Sequence, residues 1–153
     1  EHRKIANNLL EVLSRLDPGN PAPDIELTGM GGQKFKLKSI KGKPMLLVFF
    51  RGQQSGMSNT FDRLAELYQV YKAGLEIISI SMDHRTSDYQ DLANSGNYPW
   101  TFTHYGGNPS VYDAYDVRNM PLFVLIDTDG NIVSHPAPAP GDELERQILK
   151  IIH

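Results

Sequence analysis

The hydrophobic pattern predicts a strand, a helix and a second strand in the middle of the chain. Met45–Phe50 is an unbroken apolar run of strand length, which is typical of a central strand covered on both faces. Ser58–Lys72 places its apolar residues at helical spacing and is followed by Gly74, a common helix terminator. Leu75–Met82 is rich in isoleucine and is predicted to be a second buried strand. Because such crossovers are right-handed, we expect the two strands to be parallel neighbours.

Segments on both sides of this unit extend the pattern. The other predicted elements are a helix over residues 1–17, a hairpin around 29–32, a helix over Thr86–Ala93, a strand over Trp100–Tyr105, a helix over 108–115, a hairpin of Leu122–Asp127 with Ile132–Ser134, and an amphipathic C-terminal helix around 144–152. The fold class is therefore α/β, with a mixed central sheet of four or five strands, helices on both faces and an N-terminal β-hairpin. The helix over 1–17 is an extra N-terminal element and suggests the end of a preceding region. The main domain is expected over 18–153.

Composition narrows the classes of function. A chain of 153 residues is one domain in length. Its 15 Lys and Arg against 18 Asp and Glu give a formal net charge of −3, which offers no general attraction to nucleic acid or an anionic membrane. Its longest apolar run is too short for a transmembrane segment. It contains no cysteine, so it can form neither a disulfide, a thiolate nucleophile nor a zinc–sulfur site.

Three motifs carry a resemblance to a known family. Residues Pro21–Leu27 resemble the opening "A-P-D-F-x-L", Leu37–Pro44 resemble "L-x-x-x-K-G-K-P", and Met120–Asp127 resemble "x-P-x-x-F-L-I-D". In this order they resemble the thioredoxin-like superfamily, and more narrowly the bacterial thiol–disulfide oxidoreductases of the TlpA/ResA type, which are related to the AhpC/TSA peroxiredoxins. The resemblance implies a thioredoxin-like fold and an extracytoplasmic location, either periplasmic or lipid-anchored.

The chain departs from this family at the reactive motif. The family places Trp-Cys-x-x-Cys directly after the first central strand, where the long helix opens. In this chain Gln54 and Met57 stand at the two cysteine positions, with Ser55 and Gly56 between them. An amide and a thioether can neither ionise nor attack a disulfide, and the Thr-x-x-Cys of peroxiredoxins has no counterpart in 51–60. No catalytic residue is therefore assigned, and we expect the domain to be redox-inactive.

The resemblance also implies a binding groove. In the superfamily the proline equivalent to Pro121 is cis, and the residue before it, here Met120, offers its backbone to an extended peptide. Without the resemblance, a trans proline beginning an edge strand is the simpler interpretation. The groove residues that the resemblance implies are Phe50, Arg51, Gln54, Ser55, Gly56, Met57, Met120 and Pro121.

Other constellations of polar residues give weaker hypotheses. The five histidines show no helical pairing, so we expect no metal. Asp127-x-Asp129-Gly130 starts like a calcium loop but lacks the downstream glutamate, which favours a turn. Asp83-His84-Arg85 is interpreted either as an acid–base pair or as a solvated turn.

A serine dyad and a set of aromatic residues complete the candidates. Ser55 and Ser58 with His84 or His104 lack the elbow motif of hydrolases, and a serine at a helix start is usually a cap. The tyrosines, tryptophan and phenylalanine within 98–115 are expected mostly in the core, some at a recognition surface.

Taken together, these observations favour a thioredoxin-fold domain that acts as a peptide-binding, protein-binding or structural domain without a cofactor. The alternative is a member of a thiol–disulfide oxidoreductase or peroxiredoxin-like system that depends on thiols from a partner. A third hypothesis is a structural domain whose groove is closed.

Overall fold

The computed structural model of the chain describes residues 16–29, 32–40, 42–52, 56–85, 90, 98 and 100–152. The predicted N-terminal helix and the predicted helix over Thr86–Ala93 lie outside these residues, apart from Leu16, Asp17 and Gln90. Within the described part, no helix is long and apolar enough to cross a membrane.

Seven strands and three α-helices make up the described part of the fold. The strands are β1 (Glu26–Gly29), β2 (Lys34–Lys36), β3 (Met45–Phe50), β4 (Glu76–Ser81), β5 (Thr101–His104), β6 (Leu122–Ile126) and β7 (Ile132–Ser134). The helices are α1 (Met57–Tyr71), α2 (Ser110–Ala114) and α3 (Asp142–Ile151), and a short 3₁₀ helix covers Leu37–Ser39. The strands and helices that the sequence predicted within these residues are confirmed, and the 3₁₀ helix is an addition.

All seven strands form one mixed sheet in the order β2-β1-β5-β4-β3-β6-β7. β3 and β4 are parallel neighbours, as predicted, and they pair in register from Met45 with Glu76 to the ends of both strands. The expectation of four or five strands is wrong. The N-terminal hairpin joins the same sheet because β1 pairs antiparallel with β5, with Thr28 opposite His104. The second hairpin extends the other side through β6 and β7.

The sheet separates two hydrophobic clusters. Leu47 and Phe49 face one cluster, which includes residues of the N-terminal segment and of α2. Leu46 and Val48 face the other, where α1 and α3 pack. Every residue of β3 is buried, which explains its unbroken apolar sequence: a strand covered on both faces has no polar side. The prediction of helices on both faces is confirmed.

The aromatic residues mostly belong to the core, as expected. The ring of Phe61 on α1 lies 4.9–6.0 Å from four other ring centroids, those of Phe50, Tyr98, Trp100 and Phe102. The Trp100 Nε1–H donates to Ser79 Oγ at 2.6 Å, and the Tyr98 hydroxyl donates to Asp62 Oδ1 at 2.8 Å. Burial, with the Asp62 contact, raises the pKa of Tyr98 to about 12. This cluster fixes α1 against the sheet.

The turn between β6 and β7 uses its acidic residue for the backbone. Asp127 Oδ1 accepts hydrogen bonds from the main-chain N–H groups of Asp129 (3.0 Å) and Asn131 (2.9 Å). Gly130 has a φ of 86°, a left-handed conformation that suits glycine. The sequence interpretation of this segment as a turn is confirmed.

Helices α1 and α3 each begin after a glycine, but in different backbone conformations. The N-cap of α1, Gly56, has φ 83° and ψ 0°, whereas the N-cap of α3, Gly141, has an extended φ of 163°. Both residues are exposed, and a Cβ added at either would meet no atom closer than 3.9 Å. The two positions therefore differ mainly in backbone conformation.

We expect Gly56→Ala to lower the free energy of unfolding by about 1–2 kcal/mol more than Gly141→Ala, because only the first forces a Cβ into the left-handed region. The weaker capping by alanine is common to both variants and cancels in the comparison. Urea unfolding followed by circular dichroism measures the difference. Equal losses would show that residue 56 does not hold this conformation in solution.

Candidate functional site

The implied groove residues collect at one edge of the sheet. β3 and β4 end in register at Phe50 and Ser81. Phe49 pairs with Leu122 of the antiparallel β6, so Pro121 directly precedes the pairing at this same edge. The segment that follows β3 and the Met-Pro segment that precedes β6 therefore lie side by side.

Burial divides the implied groove residues into two groups. Arg51 and Gly56 are exposed, and Met120 and Pro121 are partly exposed and joined by a cis peptide bond. Phe50 (0% exposed) and Met57 (2%) point into the cluster beneath α1. These two side chains lie in the core beneath the surface and do not form part of it. The reason is that side chains alternate between the two faces of β3, and that the first residue of α1 faces the sheet. Gln54 and Ser55 lie outside the described residues.

A buried carboxylate holds the backbone at this edge. Asp83 follows β4 and is only 6% exposed. Its two oxygens accept the main-chain N–H of Gly52 at 3.2 and 3.0 Å, and Oδ2 also accepts the Ser81 hydroxyl at 2.6 Å. A carboxylate that leaves water must regain its hydrogen bonds from the protein, and these three contacts supply them. Asp83 therefore fixes the first residues of the loop after β3.

His104 extends this polar cluster to β5. Its Nε2 lies 2.7 Å from the main-chain oxygen of Asp83, and its Nδ1 accepts the main-chain N–H of Gly106 at 2.9 Å. A carbonyl oxygen only accepts and an N–H only donates, so these partners assign the ring proton to Nε2. Hydrogen bonds thus connect the ends of β3, β4 and β5 beneath the site.

The interpretation of Asp83-His84-Arg85 as a solvated turn is wrong for its first residue, because Asp83 is buried and bonded to backbone. The acid–base pair of Asp83 with His84 is not formed either, because His84 is exposed. The imidazole next to Asp83 is that of His104, and it contacts the main-chain oxygen of Asp83. Sequence reasoning missed this cluster. Its one signal is an acid placed directly after a buried strand.

The remaining site hypotheses find little support among the described residues. No group of three or more His, Asp or Glu side chains in this part of the chain is arranged to hold a metal ion. Ser58 is exposed in the first turn of α1, and Ser55 lies outside the described residues.

Arg51 is an exposed charged side chain at this edge. Its Nη2 lies 3.5 Å from the hydroxyl of Tyr112 on α2, and the contact is the main reason that the pKa of Arg51 is raised. The ring of Tyr112 is in turn held edge-on against Tyr105, with centroids 5.7 Å apart. The guanidinium is therefore oriented by a neutral hydroxyl.

Comparison with known proteins agrees with this architecture. A sequence model of the AhpC/TSA family matches residues 18–135. The chain belongs to the AhpC/TSA family. It is 28% identical over 139 residues to the thiol-disulfide oxidoreductase ResA of Bacillus thuringiensis (strain Al Hakam), covering 90% of this chain and 80% of that protein. Over 132 residues it is 26% identical to ResA of Bacillus subtilis (strain 168), covering 84% and 72%.

Solved structures of thioredoxin-like proteins superpose on this fold. A putative thiol:disulfide interchange protein DsbE from Chlorobium tepidum is 27% identical with a TM-score of 0.79, over 90% of this chain and 99% of that chain. A putative thiol-disulfide oxidoreductase from Bacteroides vulgatus is 24% identical with a TM-score of 0.82, over 91% of this chain and 99% of that chain. At this identity the comparison shows that the two proteins share a fold. The resemblance to TlpA/ResA-type proteins is thus confirmed, in a family member that contains no cysteine.

We expect Asp83→Ala to lower the free energy of unfolding by about 2–3 kcal/mol, because the buried Ser81 hydroxyl and the Gly52 N–H lose a charged acceptor. Asp83→Asn keeps one oxygen and should lose less. Asp129→Ala, at an exposed turn position, is the control and should change stability by less than about 0.5 kcal/mol. An Asp83→Ala variant as stable as this control, by urea unfolding, would show that the hydrogen bonds of Asp83 to Gly52 and Ser81 are absent in solution.

Replacing Gln54 and Met57 together by cysteine tests the alignment with the family motif. If these are the two cysteine positions, the double variant should lose both titratable thiols on mild oxidation and regain them with a reductant. The single variants Gln54→Cys and Met57→Cys should each keep one thiol as a monomer. Failure of the double variant to close its disulfide would show that the motif positions are assigned wrongly.

Proposed function

We propose that this domain is a redox-inactive member of the AhpC/TSA family that binds an extended peptide segment of a partner protein along the Met120–Pro121 edge. The observation that carries the proposal is the combination of the β3–β6 pairing, which brings the end of β3 beside the Met120–Pro121 segment, with a sequence that holds no cysteine. Thiol–disulfide exchange needs a thiolate, and this chain has none to supply. What remains at the edge is a shaped surface.

The shape of that surface suits an extended chain. Met120 and Pro121 are partly exposed and precede β6, and Met120 packs on the core beneath it. A peptide would lie against the segment that precedes β6, because β6 itself already pairs with β3 and β7 and offers no free strand edge. The loop on the other side is fixed at Gly52 by Asp83, so less ordering is required on binding.

The principal alternative is a domain that works with thiols from a partner. An insulin-reduction assay distinguishes the two functions. With dithiothreitol as the reductant, addition of this domain alone should leave the rate of insulin reduction at its background value. Acceleration by the domain in the presence of a thiol-bearing partner would favour the alternative.

An extracytoplasmic location, periplasmic or lipid-anchored, is part of the same proposal. It is supported by the likeness to ResA and DsbE proteins. Fractionation of the source cells with an antibody against the domain would test it, and recovery in the cytoplasm would refute it.

Selection of short random peptides displayed on phage tests the binding function. We expect wild-type protein to enrich peptides whose binding, measured by fluorescence anisotropy, falls at least tenfold (about 1.4 kcal/mol) in Met120→Glu, because a charged side chain then replaces the apolar one at the edge. Leu149→Glu is the matched control, since Leu149 is an exposed apolar residue (59%) on α3.

Circular dichroism should show that both variants are folded. Peptides that bind Met120→Glu as tightly as wild type would place the binding surface elsewhere, and the absence of any enriched peptide would favour the hypothesis of a closed, structural domain.

A further inference from the structure

The charge of Arg51 is unmatched at the proposed binding edge. The ion pairs within the described residues join Arg118 to Asp116 (2.8 Å) and Arg146 to Glu143 (3.0 Å), and Arg51 takes part in neither. Its one hydrogen bond to a described residue goes to the Tyr112 hydroxyl, which carries no charge. A guanidinium has five N–H donors, so most of its donor capacity faces solvent.

The carboxylate that interacts electrostatically with Arg51 is already occupied. Asp83 contributes to the potential at Arg51, but its oxygens accept the Gly52 N–H and the Ser81 hydroxyl inside the protein. Its negative charge therefore acts on Arg51 from a distance, without forming an ion pair with the guanidinium. A carboxylate arriving from solvent would be the first to contact the guanidinium directly.

The exposed charges around Arg51 are of both signs. The exposed residues that follow the neighbouring strand at this edge are His84 and Arg85, and those that follow β5 are Gly106 and Gly107. On α2, the exposed Asp113 follows Tyr112, but neither ion pair within the described residues joins it to Arg51. The guanidinium can therefore pair with a carboxylate from outside the domain.

Arg51 is also held in position before any ligand arrives. Its backbone continues from β3 into Gly52, which Asp83 fixes, and its head group contacts Tyr112, which packs on Tyr105. The neighbouring strand pairing places it beside the Met120–Pro121 segment. A side chain that is already oriented loses less conformational entropy when it binds.

We propose that Arg51 selects the bound segment by its charge, so that the partner of this domain offers an extended peptide with an acidic side chain beside the Met120–Pro121 edge. This inference rests on the proposed peptide-binding function and specifies its ligand class. Arg51 makes the contact as a planar fork that matches a carboxylate, which a lysine would match less well.

Peptides enriched on wild-type protein by the selection described above provide the probe. We expect them to be rich in Asp and Glu. Replacing the critical acid of such a peptide by its amide should weaken binding to wild type about five- to tenfold, because a charge-assisted pair is lost. The same replacement should have no effect on binding to Arg51→Gln and an intermediate effect on Arg51→Lys.

Arg118→Gln is the matched control, because it removes an exposed arginine two residues before Met120 whose charge is already paired with Asp116. It should retain the preference for the acidic peptide. Raised salt should reduce the preference of wild type and leave that of Arg51→Gln unchanged.

The outcomes separate the two proposals. If peptides bind at the Met120 edge but the acid-to-amide replacement costs the same on wild type and Arg51→Gln, the charge selection by Arg51 is wrong and the binding function stands. An equal loss of preference in Arg118→Gln would show that general electrostatics, not Arg51, is responsible. If no peptide is enriched, both proposals are wrong.

Discussion

The hydrogen bonds of the Asp83 carboxylate hold together the edge of the sheet where the candidate site lies. β3 and β4 are parallel, so the chain leaves both strands at the same edge, and each exit segment has backbone groups that the ladder no longer pairs. Asp83 satisfies the exit of β3 through Gly52, and its own carbonyl is reached by His104 from β5. One buried acid therefore connects three strand ends at a place where loops would otherwise be free to move.

This edge explains how the domain keeps a defined surface without any cysteine. The two clusters on either side of the sheet, with Phe61 at the centre of the aromatic one, make the scaffold independent of any disulfide. α1 begins only at Met57, after a left-handed Gly56, and buries its first side chain. Gly56 and Met57, which the resemblance aligns with the family's reactive motif, thus serve capping and packing in this chain.

The positions of charge at the edge follow from the same packing. Asp83 is drawn inside by backbone donors, and Arg51 remains outside, next to a tyrosine. A carboxylate and a guanidinium that are close in space are thereby kept from neutralising each other. The partial exposure of Met120 and Pro121 beside Arg51 gives the surface both an apolar and a cationic part.

The sequence by itself determined the helices and strands of the central unit and the absence of cysteine. Periodicity located β3, α1 and β4 to within a residue or two, because burial on one face or on both leaves a local pattern. Only the tertiary structure decided that Thr28 pairs with His104, which merges the N-terminal hairpin with the central sheet, and that Asp83 is buried. Both depend on contacts between segments far apart in the chain, and local sequence carries no signal of which distant backbone group will supply a partner. For the same reason, the lack of an ion pair at Arg51 became visible only once the fold had placed Asp83 against Gly52.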